Sequence, residues 1–481
     1  MRILARQQEL KILEKIYLSK NPEFLAIYGR RRVGKTFLIR QFFRDKGFYF
    51  EVTGIRKGSL KQQLQAFSIE FARVFANREI NNPPCDWMEA FAALRKALEG
   101  ISKHERVILF FDELPWIASP RSGFLQAIDH FWNRYFSDDR RVILIVCGSA
   151  ASWMIKKVIR NKGGLHGRLT AQMRLLPFNL AETESFLLHR DIKLDRKQLI
   201  DIYMAIGGVA KYLTLIEKGQ SSLQTVSELC FNGPLFNEFN ELYASLFEHH
   251  NRHVSVVKAL AQRACGLTLA EISENSKISS GGGLSDILTE LEESGFIIPI
   301  GHFGKKKKNA VYKLVDEYSL FYLKWIAQAK SMDLTRVDDQ YWLKMASSPS
   351  GRAWSGYAFE SLCMKHVNKI KEALGIRGVT TSECGWIYKP EKNSGERGVQ
   401  IDLLIDRADH CINLCEIKYA AEPFVINKSY TAELLAKKAA FVRHTHTKKS
   451  VFLTLITTYG VNKKAGDFGV VDVELTMNDL F

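Results

Sequence analysis

FLAIYGRRRVGKTFLIRQFF, residues 24–43, decides how the first part of this chain folds. Its opening, FLAIYG, is a short apolar run of the kind a buried parallel strand needs, since such a strand is covered on both faces. The run passes directly into GRRRVGKT, residues 29–36, and then into the helix-like FLIRQFF. Strand, glycine loop and helix in that order form the context in which GxxxxGK followed by Ser or Thr binds phosphates. Gly29 and Gly34 let the backbone curl, so that the loop Arg30, Arg31, Arg32 and Val33 and the following helix N-terminus turn their N–H groups to an anion. Lys35 is placed to reach the β and γ phosphates of a nucleotide, and the Thr36 hydroxyl to ligate magnesium.

The runs that follow supply the partners such a loop requires. VILFFDE, residues 107–113, reads as a second buried strand ending in Asp112 and Glu113. Asp112 is expected to hold the magnesium through water and Glu113 to polarise an attacking water, which implies hydrolysis as well as binding. A third strand, RVILIVCGS, ends in Ser149, a polar tip suited to sensing the γ-phosphate. GGLHGRLT offers Arg168 in a glycine-flanked loop, where a guanidinium in cis or from a neighbouring subunit meets transition-state charge.

RQQELKILEKIY, GRRRVGKT, VILFFDELPW, CGSAASWM, GRLTAQMRLLPF and GGVAKYL occur in this order over residues 1–220. Together they resemble the archaeal-type ATPase group of prokaryotes, AAA-related NTPases of the STAND class. The resemblance implies ATP as the nucleotide, an α/β P-loop domain with a helical lid, and a role in defence or mobile-element control. Ala210 departs from the proline usual in the GGVAKYL segment, which bears on the geometry of that loop.

The composition fits a chain of several folded domains. With 481 residues, 46% hydrophobic and 25% charged, it has the make-up of a soluble globular protein of two to four domains. Apolar runs stay short of the 18 residues a membrane span needs, and MRILARQQ is too polar for a secretion signal, so a cytoplasmic protein with no membrane partner is expected. The eight cysteines form no CxxC pair and read as reduced. A net charge of +16 and a pI near 9.3 favour an anionic partner, with nucleic acid, DNA before RNA, as the expectation.

Beyond a connector at 221–249, residues 250–316 change to short amphipathic helices. SVVKALAQ, LTLAEISENS and GGLSDILTELEESGF precede IIPIGHF and NAVYKLV, two strands around GKKKK. Thr268 is expected to cap the second helix and Gly295 to end the third. Helix, helix, helix, hairpin is the order of a winged helix-turn-helix, whose third helix and Lys305 to Lys308 tip suit groove and phosphate contacts.

After an aromatic connector at 317–350, residues 351–481 open with a helix of about 20 residues over WSGYAFESLCMKHVNKIKEALGI. Glu360 lies on its core-facing stripe with Cys363, Met364 and Val367, an odd place for an acid. The hairpin QIDLLIDR to INLCEIKYA then alternates faces, so Glu416 and Lys418 look outward together and the turn brings Asp402 beside Glu416. Two neighbouring carboxylates repel unless a cation lies between them, and magnesium takes oxygen ligands. The order of helix, strands and basic helix, with Asp then ExK, resembles the PD-(D/E)XK nuclease fold, and with the winged helix it resembles the region that commonly follows this ATPase group. The resemblance implies Asp402 and Glu416 on magnesium, Lys418 orienting the water, Glu360 completing or orienting the shell, and Gln400 helping to place the water. The leading expectation is an ATPase whose nucleotide state gates a nuclease-like site. The alternatives are a DNA-binding ATPase regulator with an inactive nuclease fold and a STAND-type signalling scaffold. A trans-acting Arg168 would require a homo-oligomer.

Overall fold

The apolar runs beginning at Phe24, Val107 and Val142 become neighbouring strands in the computed structural model, which describes residues 3–75, 83–160, 165, 167–304, 310–331, 340–390, 397–462 and 469–481. The lysine tip at 305–308 lies outside the described residues. The chain divides into two units, Met1–Pro177 with Ser245–Glu248, and Phe178–Ala244 with His249–Phe481.

In the first unit, helix α1 (Gln7–Leu18) precedes β1 (Glu23–Tyr28), α2 (Lys35–Phe43), β2 (Phe48–Thr53), β3 (Val107–Asp112), β4 (Val142–Gly148) and β5 (Ala171–Arg174). The strands form one sheet in the order β2-β3-β4-β1-β5, parallel throughout. Successive side chains of β1 enter opposite cores. Phe24 and Ala26 join Phe50, Phe91 and Phe111, whereas Leu25 and Ile27 join Leu38, Phe43 and Ile108. This two-sided burial is why the strands read as unbroken apolar runs. Since β4 lies between β1 and β3, the carboxyl ends of all three strands carry Gly29, Asp112 and Ser149 to one rim of the sheet.

The second unit begins with α3 (Leu180–His189) and α4 (Arg196–Ile206). The boundary after Pro177 falls inside the stretch 1–220 that was expected as one module. The reason is that these helices make their contacts within the second unit: Arg196 bonds Asn478 at 3.1 Å, and the buried Leu180 N–H meets His366 Nε2 at 3.4 Å. The expected connectors are core rather than linker. Phe231, Tyr243, Phe321, Trp325 and Trp342 are all buried, with Trp325 and Trp342 edge to face at 5.6 Å.

Helices α5 (His250–Ala261), α6 (Leu269–Ser276) and α7 (Gly282–Glu293) follow, with β6 (Leu267–Thr268) before α6, then β7 (Ile297–His302) and β8 (Val311–Leu314). Thr268 caps α6 in a reciprocal pair with Glu271, and Gly295, with positive φ, follows the end of α7. The helix expected over 354–376 is two helices. Helix α8 (Pro349–Lys365) starts earlier, where Ser348 caps it and Pro349 occupies the first turn, and it breaks at His366 before α9 (Val367–Ala373).

Strands β9 (Thr381–Tyr388), β10 (Val399–Arg407) and β11 (Cys411–Lys418) are antiparallel neighbours. Helix α10 (Lys428–Thr445) crosses over to β12 (Ser450–Thr457), which runs parallel to β11, and β13 (Val473–Thr476) extends the edge. Strand β7 joins β9 in parallel through Gly301 opposite Cys384 and His302 opposite Gly385, so both modules share one sheet, β13-β12-β11-β10-β9-β7-β8-β6. All eight cysteines are free thiols. Among the described residues, no helix is long and apolar enough to cross a membrane.

Candidate functional sites

The phosphate loop bends where only glycine fits. Gly29 has φ +150°, and a Cβ there would lie 2.2 Å from the Leu175 carbonyl oxygen. Gly34 stands at the head of α2 with φ 96°, and no side chain caps that helix. The helix therefore offers its first N–H groups to a bound anion. Lys35 is buried, its ammonium donating to the carbonyls of Gly29 at 2.8 Å and Arg30 at 2.9 Å. Arg31 rests its guanidinium over Trp116, and the Val33 carbonyl accepts from the buried Arg6 at 3.1 Å. Arg32 and Glu113, neither a glycine, hold left-handed backbone. Strain of this kind gathers at functional sites.

The acids stand where the sequence placed them. Thr36 Oγ1 donates to Asp112 Oδ2 at 2.7 Å. Burial raises the Asp112 pKa, opposed by the Thr36 hydrogen bond and reinforced by the Glu113 charge. A hydroxyl and a buried carboxylate meeting in this way are a hard oxygen donor set that a magnesium ion fits, because the ion would offset the burial of the charge. Glu113 accepts from the Ser149 hydroxyl and, at 3.3 Å, from the Ser149 N–H, so Ser149 holds the glutamate. Arg168 is exposed in a turn after Gly167.

In the second unit, β10 and β11 pair from Leu403 opposite Cys415 to Asp406 opposite Ile412, and Asp402 and Glu416 are the next residues outward on their strands. Against β9 the register of β10 shifts between Ile401 and Leu404, a bulge that re-aims Asp402. Gln400 donates to Asp402. Glu416 accepts from Lys418 at 2.9 Å, from Lys437 at 3.1 Å and from Tyr430 at 3.2 Å. Burial pushes the Glu416 pKa up, but Lys418 and Lys437 outweigh it and the net shift is downward.

Glu360 behaves oppositely. Burial raises its pKa, Lys313 opposes the rise, and the charges of Asp402 and Glu416 add to it. Its carboxylate is taken by Lys313 Nζ at 2.8 Å. Among the described residues, no three acidic, histidine or cysteine side chains converge to hold a metal together. Glu360 is thus held by Lys313, Glu416 by Lys418, Lys437 and Tyr430, and Asp402 by Gln400.

Lys313, Lys437, Tyr430 and Arg6 were missed by the sequence reading. Tyr430 and Lys437 stand seven residues apart, two helical turns, and so share the face of α10 that meets Glu416, a spacing that could have found them. Nothing local marks Lys313, which reaches Glu360 from a strand 47 residues earlier.

The first unit's rim defines a P-loop nucleotide-hydrolysing domain. Residues 4–216 match the family described as an ATPase domain predominantly from Archaea, so the chain carries an archaeal-type ATPase domain over that stretch. An uncharacterized protein of Methanocaldococcus jannaschii is 26% identical over 328 residues, 67% of this chain and 68% of its own. An uncharacterized ATP-binding protein of the same organism is 44% identical over 41 residues, 8% of this chain and 70% of its own. Among solved structures, the Walker-type ATPase of Pyrococcus abyssi is similar with a TM-score of 0.46 and 17% identity, covering 67% of this chain and 96% of that one. The ORC2 protein of Aeropyrum pernix gives 0.45 and 16%, covering 69% and 96%.

Proposed function

We propose that this ATPase acts on nucleic acid through a magnesium-dependent, phosphodiester-cleaving site in its second unit, gated by nucleotide state. The observation that carries the reading is the grouping of Asp402 and Glu416 just beyond the paired end of β10–β11, where the charges of both reach Glu360 and Lys418 stands 2.9 Å from Glu416. Helix, three antiparallel strands, crossover helix and parallel strand surround this pair in the order of the PD-(D/E)XK fold. A bound magnesium ion would polarise the scissile phosphate and acidify a water. Asp402 and Glu416 would hold that ion, Gln400 would orient Asp402, and Lys418 would place the water or meet the charge developing on phosphate. At the first site, Lys35 and the head of α2 would hold the ATP phosphates, Thr36 and Asp112 the magnesium. Glu113, steadied by Ser149, would orient the attacking water, and Arg168 would act on a neighbouring copy.

Helices α5 to α7 with β6 to β8 read as a winged helix whose α7 suits a DNA groove, and the +16 net charge favours a polyanion. Gating is supported by α3 and α4, which lie inside the ATPase match yet pack in the second unit, where Tyr419, the neighbour of Lys418, donates to Asp201 of α4 at 2.5 Å. The capture of Glu360 by Lys313 favours a second reading, a DNA-binding ATPase regulator with a silent nuclease fold. Magnesium-dependent cleavage of linear, circular and single-stranded DNA, with and without ATP, separates them. The first reading expects cleavage lost in Asp402→Ala and changed in Lys35→Ala. Intact ATP hydrolysis without cleavage under any condition favours the regulator.

A further inference from the structure

We infer that the strand pair β7–β8 is a built-in cap on the carboxylate site. The Lys313 ammonium stands in for the positive charge beside Glu360, and the site accepts a divalent cation and a phosphate strand only when β7 parts from β9. The inference rests on the nuclease-like reading of Asp402 and Glu416.

Four observations lead to it. Lys313 is only 1% exposed, and its ammonium donates to Glu360 at 2.8 Å. The carboxylate it satisfies also feels the charges of Asp402 and Glu416, so the lysine neutralises a member of the acidic group itself. Between the two modules, Lys313, His302, Trp386, Gln400 and Asp402 line a gap of about 20 Å³. That gap places the Lys313 side chain and Asp402 on one lining. Finally, the join is short. Among the described residues, β7 pairs with β9 at Gly301 with Cys384 and His302 with Gly385, followed by the Phe303 N–H to the Gly385 carbonyl at 3.0 Å. By contrast, β11 pairs with β12 continuously from Cys411 to Lys418. A short join beside a full ladder is the element that opens first.

In the capped state both glutamates have ammonium partners. Glu360 has Lys313, and Glu416 has Lys418 and Lys437. Lys418 and Lys437 belong to the carboxylate module and stay with it. Lys313 belongs to the module of α5–α7, so movement of that module removes one ammonium and leaves an acidic group that a divalent cation can neutralise.

Gly301 supplies the test. A Cβ built there lies 3.9 Å from the Cys384 Cβ, within the range that a disulfide spans. Gly301→Cys in the full chain, oxidised, would fasten β7 to β9, and reduction would free it. The same variant carrying Cys384→Ser controls for the other thiols, and peptide mapping verifies the bond. Manganese binding, read from the electron paramagnetic resonance of free Mn²⁺ without nucleotide, is compared across these forms, wild type and Lys313→Met. Asp402→Asn supplies the blank. The expected result is Asp402-dependent binding at least tenfold weaker in the oxidised than in the reduced form, and at least tenfold tighter in Lys313→Met than in wild type. DNA cleavage should follow the same order. Equal Asp402-dependent binding in oxidised and reduced forms overturns the cap while leaving the carboxylate site standing. Absence of Asp402-dependent binding in every form overturns both. Should Lys313→Met fail to fold, the oxidised and reduced pair decides alone.

Discussion

The two candidate sites of this chain solve opposite electrostatic problems. On the first unit's rim, Lys35 leans on the carbonyls of its own loop and α2 starts without a side-chain cap, so positive charge and N–H groups await a polyanion. On the second unit's sheet, Glu360 and Glu416 already carry ammonium partners. A site of the first kind is ready when its ligand arrives, because binding displaces only weak internal hydrogen bonds. A site of the second kind must lose an ion pair before it gains a metal, and breaking a buried pair costs about 3–5 kcal/mol if nothing replaces the lost partner. Readiness in one and restraint in the other are what the proposed gating by nucleotide would require.

The largest expected effect tests whether the first site is a working hydrolase. Glu113→Gln keeps the shape of the side chain and an acceptor for Ser149, but removes the negative charge proposed to orient the attacking water. ATP hydrolysis should fall by about 10²–10⁴-fold while ATP binding stays within a few-fold, as measured by steady-state turnover and a fluorescent ATP analogue. A comparable loss of binding would mean that Glu113 supports the loop rather than the chemistry. The contrast between the two sites would then lose its catalytic half.

Acid should separate the two regions by a smaller margin. His366 sits buried at the break between α8 and α9, its Nδ1–H donating to Leu362 at 2.9 Å and its Nε2 accepting from Leu180. That network assigns the neutral tautomer. Burial, with Lys365 and Lys369 nearby, lowers its pKa to about 4. The folded state thus disfavours the proton that the unfolded chain accepts near pH 6.5, so stability is full above that pH and is lost as pH falls toward 4. At pH 5 the second unit should be weaker by about 2 kcal/mol than at pH 7 on this account. His366→Gln, which keeps a donor and an acceptor, should flatten the dependence. Hydrogen exchange resolved by unit checks it, and an equal pH slope in wild type and variant would remove His366 as the cause.

How much of this was legible in the sequence depended on how locally each site is encoded. The phosphate loop, its strand and its helix are contiguous, and the ends of β3 and β4 are marked by acids or a serine closing apolar runs. Strand alternation likewise foretold that Glu416 and Lys418 share a face, where their side chains pair at 2.9 Å. What stayed hidden depends on long-range placement. Lys313 reads as one cation in a short strand, and the join of β7 to β9 is made by backbone at Gly301 and Gly385, which carry no side-chain signal. The connectors hid their nature for a related reason. Phe231, Phe321, Trp325 and Trp342 fill one core from separate segments, so no single stretch shows a complete apolar stripe. Arg6 gives no cue that it braces Val33 from before the first helix.

The smallest effect probes the module that carries Lys313. Thr268 caps α6 by accepting from the Glu271 N–H, while the Glu271 carboxylate accepts in return from the Thr268 N–H at 2.9 Å. Thr268→Ala removes one half of this exchange and should destabilise the module by about 1 kcal/mol. The sites should respond unequally. ATP affinity should stay unchanged, because Lys35, Thr36 and Asp112 find their partners within the first unit. Exchange at the amides of α6 and β6 should quicken. If β7–β8 is a cap, a weaker module should also release it more often, so Asp402-dependent manganese binding should tighten by up to about fivefold, the equivalent of 1 kcal/mol. Faster exchange in α6 with manganese binding unmoved would show that the module's own stability and its hold on the carboxylate site are separate. The restraint would then reside wholly in the Lys313–Glu360 pair and the short β7–β9 join.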